Sequence, residues 1–491
     1  MKKIIVVNAE KDWIFKEIKD IEIVLAKDYL LNPKWLEAKN IQVFNLCKSY
    51  AYQTKGYYVS LLAQARNQKV IPSATTIQDL KTKSVIKVLS NNVNDIIQKS
   101  LKTIKSKEFV LSIYFGSNLA QQHQKLASEL YSIFRAPLIR AKFKHIENKW
   151  ILQSIIPIAL DDIPENHIDF VQHKAAEYFK RDRYFYQKKD TTVYDLAILQ
   201  DPNEKSPPSD KKALEKFMNI AEDMDFYVDF ITKNDYGRVG EYDALFIRET
   251  TSVDHHTYRF SRRADADGMI VMDDPVSIMR CANKVYLNEA LAKAKIQVPK
   301  TLIVHNDKID DIISTIGLPC VLKLPDSSFS IGVKKAETES DLKQLVLKML
   351  DESDLIIAQE YMFSPFDWRV GVLDGKPLFV CKYFMARGHW QIYNWSAKKR
   401  DETGGFETVA VEKAPKSIVE AAVKATKIIG NGLYGVDVKE INGKPYIIEI
   451  NDNPNLDSGV EDKIIGDELY RTILSSFKNR LDAQVYKKPL K

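Results

Sequence analysis

Short apolar runs alternate with stretches of helical periodicity through the N-terminal part of the chain. The runs at Lys3–Val7, Gln42–Phe44 and Lys69–Ile71 have the length of strands, and Tyr58–Arg66 has the spacing of a helix. Farther along, Phe109–Phe115 again has the pattern of a strand, and a helical pattern follows it. Short strands that alternate with helices predict an α/β unit.

A second, smaller α/β unit is predicted after it. The segment Gln200–Lys212 is rich in Pro, Ser, Asp and Lys, and Pro207-Pro208 cannot lie inside a helix or a paired central strand, so this segment is predicted to be a loop. The surrounding pattern predicts strands at Asp195–Leu199, Phe226–Ile231 and Ala244–Arg248 and a helix at Leu214–Met224.

The remainder of the chain, from about Pro275, mixes longer helices with strands. The predicted helices are Ser277–Lys295, Asp307–Ile316, Ser417–Ile429 and Asp467–Leu481, and the predicted strands are Val298–Val304, Cys320–Leu324, Leu355–Glu360, Trp368–Leu373 and Pro377–Tyr383, with a hairpin at Tyr434–Ile450.

Length and composition narrow the class of protein. A chain of 491 residues is too long for one ordinary core, which predicts two to four domains. The formal net charge of +6 is mild, and no basic run with interleaved aromatic residues stands out, so no nucleic-acid partner is expected. The four cysteines form no Cys-x-x-Cys pair, and no stretch approaches the roughly 20 apolar residues of a membrane span. We therefore expect a cytoplasmic protein with reduced thiols and no membrane partner.

Polar side chains with oxygen donors cluster in the predicted C-terminal hairpin. Side chains alternate across a strand, so Glu449 and Asn451 share one face. A three-residue loop, Asn442–Lys444, sets Asp437 opposite Glu449, whereas a two-residue loop sets it opposite Ile448 and turns it to the other face. The sequence therefore predicts the three-residue loop, with three side-chain oxygens converging.

Hard oxygen donors without His or Cys favour Mg²⁺ that is held partly by substrate phosphates. The alternative is a solvated sheet face on which acidic residues occur by chance. Two further features bear on this choice. Lys323 lies inside the apolar run 321–324, where a lone ammonium is costly to desolvate, and the Ser- and Gly-containing loop 325–333 follows it. An edge strand with a snorkelling lysine is the alternative interpretation of that feature.

Several further segments belong with these residues, and the whole set is Arg248–Thr251, Tyr258–Arg262, Asp273–Pro275, Arg280–Lys284, Lys323, Gln359–Met362, Asp367 with Arg369, Gly435–Asp437 and Glu449 with Asn451. These segments occur in the order of an ATP-grasp fold, and on them the chain resembles the RimK-like branch of ATP-grasp ligases. The resemblance extends from about Asp195 to the end. The first zone, with Gly56–Val59 and Phe115–Asn118, is similar to the extra N-terminal domain of some RimK-like proteins.

The resemblance implies a role for each matching residue. It implies ATP contacts from Lys284, Lys323, Ser328, Ser330, Gln359, Glu360, Tyr361, Met362 and Asp367, and two Mg²⁺ ions, with Mn²⁺ as an alternative, on Asp437, Glu449 and Asn451. It also implies catalytic roles for Lys323, Arg369, Lys382 and Arg387, and substrate contacts from Arg259, Arg262, Arg387 and Asn394. A lid around Ser327–Gly332 is expected to exclude water from the reacting groups.

The implied fold class is α/β, α+β in the ATP-grasp part. The predicted domains are an N-terminal RimK-like-associated α/β domain at 1–190, a small doubly wound pre-ATP-grasp domain at 191–283, and an ATP-grasp domain at 284–482 with a lid subdomain at about 296–360. The implied activity is ATP-dependent joining of a carboxylate to an amine through an acyl phosphate. The substrates are an amino acid, glutamate-like, and an amino acid, peptide or protein tail, and a homo-oligomer is a family-level expectation.

Two other functions are alternatives on the same fold. An ATP-grasp phosphotransferase transfers the γ-phosphate to a hydroxyl or a stable carboxyl, and its product needs no amine. A nucleotide-binding regulatory module need not keep all three metal ligands and both lysines. Separately, Asp254-His255-His256 suggests a metal or catalytic pair, but neighbouring side chains are expected to point apart, which favours a polar loop.

Overall fold

The computed structural model describes residues 2–13, 18, 21–38, 41–66, 68–82, 86, 93–180, 194–305, 309–326, 332–392 and 404–486. The chain divides into two compact units, Met1–Gln187 with Tyr236–Glu241, and Lys188–Asp235 with Tyr242–Lys491. The predicted domain boundaries stay predictions. The charged segment 180–189, expected to be a connector, lies almost wholly outside the described residues. Within them, no helix is both long and apolar enough to cross a membrane.

The first unit contains seven strands and seven helices in the described ranges. The strands are β1 Lys2–Val7, β2 Ile21–Leu25, β3 Ile41–Asn45, β4 Lys69–Ile71, β5 Glu108–Tyr114, β6 Leu138–Ile146 and β7 Lys149–Pro157, and the helices are α1 Ala26–Leu31, α2 Lys34–Glu37, α3 Lys55–Ala65, α4 Ala74–Asp79, α5 Asn94–Leu101, α6 Gln124–Ile133 and α7 Ile168–Lys180.

Its parallel sheet has the order β2-β1-β3-β4 and is covered on both faces. Ile5 and Val7 pack in one buried cluster, and Ile4 and Val6 pack in another on the opposite face. Because both faces are buried, the strand is a continuous apolar run rather than an alternating one. Each such side chain contributes about 1.5–3 kcal/mol on burial.

An antiparallel sheet, β5-β6-β7, forms the other part of this unit. Along β7, Trp150, Leu152 and Ile155 are buried in a cluster with helices α5 and α6, while the residues between them are largely exposed. The strand at Phe109–Phe115 was predicted, but β6 and β7 were not.

The second unit contains thirteen strands and eight helices in the described ranges. The strands are β8 Tyr194–Leu199, β9 Phe226–Ile231, β10 Ala244–Ile247, β11 Ile270–Met272, β12 Thr301–Val304, β13 Cys320–Lys323, β14 Val333–Ala336, β15 Ile356–Glu360, β16 Phe366–Leu373, β17 Lys376–Phe384, β18 Phe406–Val409, β19 Leu433–Ile441 and β20 Lys444–Asn451. The helices are α8 Lys211–Asp223, α9 His256–Ala266, α10 Pro275–Ala282, α11 Lys284–Lys293, α12 Asp311–Thr315, α13 Glu339–Leu350, α14 Lys416–Thr426 and α15 Glu468–Tyr486.

Three sheets organise this second unit. A parallel sheet has the order β11-β10-β8-β9, and Phe217 of α8 and Phe477 of α15 pack against it. A four-stranded antiparallel sheet has the order β12-β15-β13-β14, and a five-stranded antiparallel sheet has the order β18-β17-β16-β19-β20. The predicted mixed α/β fold class is confirmed.

The predicted single helix Ser277–Lys295 is wrong, because the chain forms two helices that meet at Asn283. The Asn283 backbone is extended, with φ −95° and ψ 104°, and its side chain accepts a hydrogen bond from the Tyr286 N–H. A side chain that caps in this way begins a new helix. The break makes Lys284 the first residue of α11, and its N–H donates to the Pro325 carbonyl at 2.8 Å.

Candidate active site

The β19–β20 hairpin brings Asp437, Glu449 and Asn451 together, but not by the predicted loop. Ile441 pairs with Lys444, so the loop has two residues, Asn442 and Gly443. Both have positive φ, 53° and 75°, as a tight hairpin turn of the Asn-Gly type requires. The prediction of a three-residue loop is therefore wrong.

A β-bulge places Asp437 opposite Glu449, whereas a two-residue loop without a bulge would place it opposite Ile448. Val438 pairs with Ile447 and Asp437 pairs with Glu449, so Ile448 is the extra residue on β20. One inserted residue turns the following side chains to the opposite face. Asp437 therefore lies opposite Glu449, and the Asn451 amide lies 3.4 Å from the Asp437 carboxylate.

Cations surround the two carboxylates. Arg369 on β16 donates two hydrogen bonds to Asp437, and Lys284 Nζ lies 3.0 Å from Glu449 Oε1. Burial raises the pKa of Glu449, but the charges of Lys284 and Lys323 outweigh it and hold this pKa below its ordinary value. Burial also raises the pKa of Asp437, and Arg369 only partly opposes that rise.

Lys323 ends β13, which lies between β15 and β14 rather than at a sheet edge. The alternative of a snorkelling lysine on an edge strand is therefore wrong. Burial lowers the pKa of Lys323 to about 8, since desolvation disfavours the ammonium more than nearby Glu449 favours it.

These side chains line one cavity of about 480 Å³. The predicted site residues that line it are Lys284, Lys323, Gln359, Glu360, Tyr361, Met362, Asp367, Arg369, Asp437, Glu449 and Asn451. Both basic and acidic side chains line the cavity, so lysine and arginine cations and carboxylate oxygens face the same space.

The segment Gln359–Met362, called the hinge below, comprises the last two residues of β15 and the two that follow it. The Glu360 N–H donates to the Lys300 carbonyl, and the Glu360 side chain accepts from the Lys300 N–H at 2.8 Å. The Gln359 amide donates to Thr301 at 3.0 Å. Glu360 therefore ties the hinge to the preceding segment, and Tyr361 and Met362 form the wall beyond it.

Several residues of the cavity were not predicted. Lys439 pairs with Asp367 and donates to Ser364 at 2.7 Å. Lys439 comes two residues after Asp437 on β19, and alternation along a strand therefore places both side chains on the same face. This spacing could have been read from the sequence. Trp390 also lines the cavity, and its ring packs edge-on against Tyr361 at 6.1 Å.

No role was predicted for Arg248, which belongs to one of the segments that carry the resemblance. It is almost wholly buried, and it donates to Ser209, to the Pro208 and Pro454 carbonyls and to the Asn453 side chain. The segment 452–455 that it holds follows β20 directly, and Asp452, Asn453 and Asn455 line the cavity. Arg248 therefore fixes the position of the chain that leaves the carboxylate-bearing strand.

The other predicted residues lie elsewhere. Arg259 and Arg262 are exposed on α9, Arg387 is exposed after β17, and Lys382 pairs with Glu407 at 3.0 Å, and none of them lines the cavity. Ser328, Ser330, Asn394 and most of the expected lid lie outside the described residues. The roles of all these residues stay predictions.

His255 and His256 do not point apart as expected. Their ring centroids lie 3.8 Å from each other, and His256 Nε2 lies 2.6 Å from the Glu249 carboxylate. The backbone starts α9 at His256, so the two residues lie on either side of a change in backbone direction. Alternation of neighbouring side chains holds within a strand and not across such a boundary.

The donor set fits a divalent cation with hard-ligand preference. The carboxylates of Asp437 and Glu449 lie on paired positions of adjacent strands, and the Asn451 amide lies next to Asp437, with no sulfur or imidazole among the three side chains. Lys284 and Lys323, next to Glu449, supply charge suited to a polyphosphate. The site therefore fits a metal-bound nucleoside phosphate.

Two family models match the chain. Residues 26–174 match the RimK-like ATPgrasp N-terminal domain, and residues 291–459 match the D-ala D-ala ligase C-terminus. The predicted resemblance to RimK-like ATP-grasp ligases with the additional N-terminal domain is therefore confirmed.

Several named proteins are similar to part of this chain. A probable alpha-L-glutamate ligase of Marinomonas sp. (strain MWYL1) is 27% identical over 253 residues, which cover 50% of this chain and 81% of the relative. Among solved structures, a D-alanine–D-alanine ligase from Bacillus anthracis aligns with a TM-score of 0.47 at 14% identity, over 60% of this chain and 100% of that one. A RimK domain ATP-grasp protein from Sphaerobacter thermophilus aligns with a TM-score of 0.45 at 14% identity, over 57% and 98%. The Marinomonas relative is named a probable ligase.

Proposed function

We propose that this protein joins a carboxylate to an amine at the expense of ATP, releasing ADP and phosphate. The observation that carries the proposal is the convergence of Asp437, Glu449 and Asn451 beside Lys284 and Lys323 in one cavity. We further propose that one substrate is glutamate or a similar amino acid, because the relative from Marinomonas is named a probable alpha-L-glutamate ligase.

The proposed reaction has two steps. A carboxylate oxygen of the first substrate attacks the γ-phosphorus of ATP, and ADP leaves. The amine nitrogen of the second substrate then attacks the acyl carbon, phosphate leaves with the carboxylate oxygen, and the nitrogen loses a proton. Both the carboxylate and the triphosphate are anions, so the first step requires cations placed on the phosphoryl oxygens.

The chain's own residues supply this arrangement. Asp437, Glu449 and Asn451 are proposed to hold Mg²⁺, which when bound neutralises phosphoryl charge. Lys284 and Lys323 are proposed to bind phosphate oxygens directly. The hinge at Tyr361 and Met362, with Trp390, encloses the space proposed for the base, and Asp367, held by Lys439, is proposed to bind the ribose hydroxyls.

The test is a screen of amino-acid and peptide pairs. Purified protein with ATP and Mg²⁺ is expected to release ADP only when both an acid and an amine are present, and mass spectrometry is expected to find their condensation product, one water lighter than the pair. Glu449→Gln protein is the control for contaminating ATPases. Release of AMP and pyrophosphate, or a phosphorylated product that needs no amine, would contradict the proposal.

Lys323→Met is expected to lower kcat/KM for ATP by about 10²–10³-fold, because it removes a cation from the proposed phosphate site without changing side-chain length. Its thermal stability is expected to stay equal or rise, since burial disfavours the charged form of Lys323 in the folded state. Lys334→Met is the matched control, because Lys334 is exposed on the neighbouring strand β14. A Lys323→Met enzyme with unchanged kcat/KM rejects the assignment.

Trp390→Ala is expected to raise the KM for ATP by about three- to tenfold with kcat nearly unchanged. The ring contacts Tyr361, and an aromatic pair of this kind contributes about 0.5–1.5 kcal/mol. Steady-state kinetics at varied ATP measure the effect. Phe363→Ala, at an exposed position outside the cavity lining, is expected to leave KM unchanged.

A further inference from the structure

Three side chains with metal-binding atoms converge outside the proposed ATP site. Glu249, His255 and His256 each offer a ligand atom, and these atoms all lie within 4.8 Å of one another. Glu249 is 3% exposed, and the side chain of His256 is 12% exposed. This group is the only one of its kind among the described residues.

The hydrogen-bonding state of these atoms distinguishes the group from an ordinary ion pair. His256 Nε2 lies 2.6 Å from Glu249 Oε1, yet neither this nitrogen nor Glu249 Oε2 makes a hydrogen bond of acceptable geometry within the part of the chain that the structure describes. A buried polar atom without a partner costs about 1–3 kcal/mol. The lone pairs of His256 Nε2 and of the Glu249 carboxylate lie close together without a hydrogen bond between them. A bound cation would accept these lone pairs as ligands.

The surroundings of His255 match those of a metal-binding imidazole. Its Nδ1 lies 3.1 Å from Thr257 Oγ1, which leaves Nε2 for a ligand. In metal-binding histidines, the ring nitrogen that does not bind the metal commonly makes a hydrogen bond, and this hydrogen bond fixes the orientation of the ring. Glu204 adds a second carboxylate nearby, bonded to Thr250 and interacting electrostatically with Glu249.

We propose that Glu249, His255 and His256 bind one divalent transition-metal ion such as Zn²⁺, at a site separate from the proposed ATP-linked Mg²⁺ site. Two imidazoles and a carboxylate favour Zn²⁺ and similar ions over Mg²⁺, which prefers oxygen ligands alone. Three protein ligands leave a fourth position open for water or a substrate group.

The ion links the end of the parallel sheet to the wall of the cavity. Glu249 comes two residues after β10, and His256 is the first residue of α9. An ion bound to both would therefore connect the two ends of the segment between them. Thr250, Thr251 and Ser252 of this segment line the cavity, and Thr251 donates to Asp452 at 2.8 Å. Occupancy of the ion site is therefore expected to hold this wall in place.

The experiment uses the full chain, stripped of metal with EDTA and titrated with Co²⁺ and then Zn²⁺ in the absence of nucleotide. Co²⁺ is expected to give the visible absorption bands of a site with imidazole ligands at one ion per chain, and Zn²⁺ is expected to displace it. His255→Ala and His256→Ala are each expected to weaken Co²⁺ binding at least tenfold.

Two controls separate this site from other binding. His173→Ala removes an exposed histidine of the first unit and is expected to bind Co²⁺ as the unaltered protein does. Glu449→Gln is also expected to keep the Co²⁺ bands, which distinguishes failure of this proposal from failure of the ATP-site assignment. Absence of a stoichiometric ion, or equal Co²⁺ affinity in both histidine variants and the unaltered protein, overturns the proposal.

Discussion

Glu449→Ala is expected to lower ATP turnover by about a thousandfold or more. The substitution removes the carboxylate that faces Asp437 and pairs with Lys284 at 3.0 Å, so the proposed metal site loses one of its two charged ligands. The metal site is expected to stabilise the charge of the transition state by several kcal/mol. Because about 1.4 kcal/mol changes the rate tenfold, losing this stabilisation gives a loss of about that size in turnover.

The same variant is expected to stay folded. The Glu449 side chain is 29% exposed and lines the cavity, so its removal enlarges the cavity rather than leaving a void in a hydrophobic core. The measurements are ADP release under saturating Mg²⁺ and ATP, and circular dichroism as a check of folding. Glu289→Gln, at an exposed acidic position of α11, is the matched control and is expected to keep full turnover. Turnover by Glu449→Ala at the unaltered rate would show that the metal site lies elsewhere.

Arg248→Met is expected to destabilise the second unit by about 3–5 kcal/mol, the range for removing one partner from a buried charged network. The guanidinium donates to two carbonyls, a hydroxyl and an amide oxygen, and methionine leaves these acceptors buried without their donor. Burial lowers the pKa of Arg248 to about 10, which is still far enough above neutrality to keep it charged. Its charge also partly opposes the rise that burial causes in the pKa of Asp273.

Urea unfolding followed by fluorescence measures this effect. Arg248→Lys keeps the charge but not the planar group with several donors, so it is expected to recover only part of the stability. Arg471→Met, on the exposed side of α15, is expected to change stability by less than about 0.5 kcal/mol. A loss below 1 kcal/mol in Arg248→Met would contradict the assigned network.

The strands that carry the site were predictable because their signals are local. The apolar run 321–324 with one lysine indicates a desolvated strand, and the alternation of Glu449 and Asn451 indicates a shared face. The opposition of Asp437 to Glu449 was predicted for the wrong reason. The Asn-Gly turn favours a two-residue loop, and the bulge at Ile448 that corrects the register has no local sequence signal.

Features that depend on tertiary contacts were not predicted. Nothing in the sequence around Arg248 shows that it binds residues more than two hundred positions away, at 453 and 454. The convergence of His255 and His256 on Glu249 depends on where α9 begins. In contrast, the alternation in β7 and the capping side chain of Asn283 were readable signals that the predictions did not use.

Asp437, Glu449 and Asn451 are proposed to hold the metal ions of bound ATP. Crystals grown with Mn²⁺ and a non-hydrolysable ATP analogue test this proposal most directly, through anomalous diffraction from manganese. We expect manganese peaks at ligand distance from these three side chains, with the analogue's phosphates next to Lys284 and Lys323. Nucleotide-linked manganese away from Asp437 and Glu449 would contradict it.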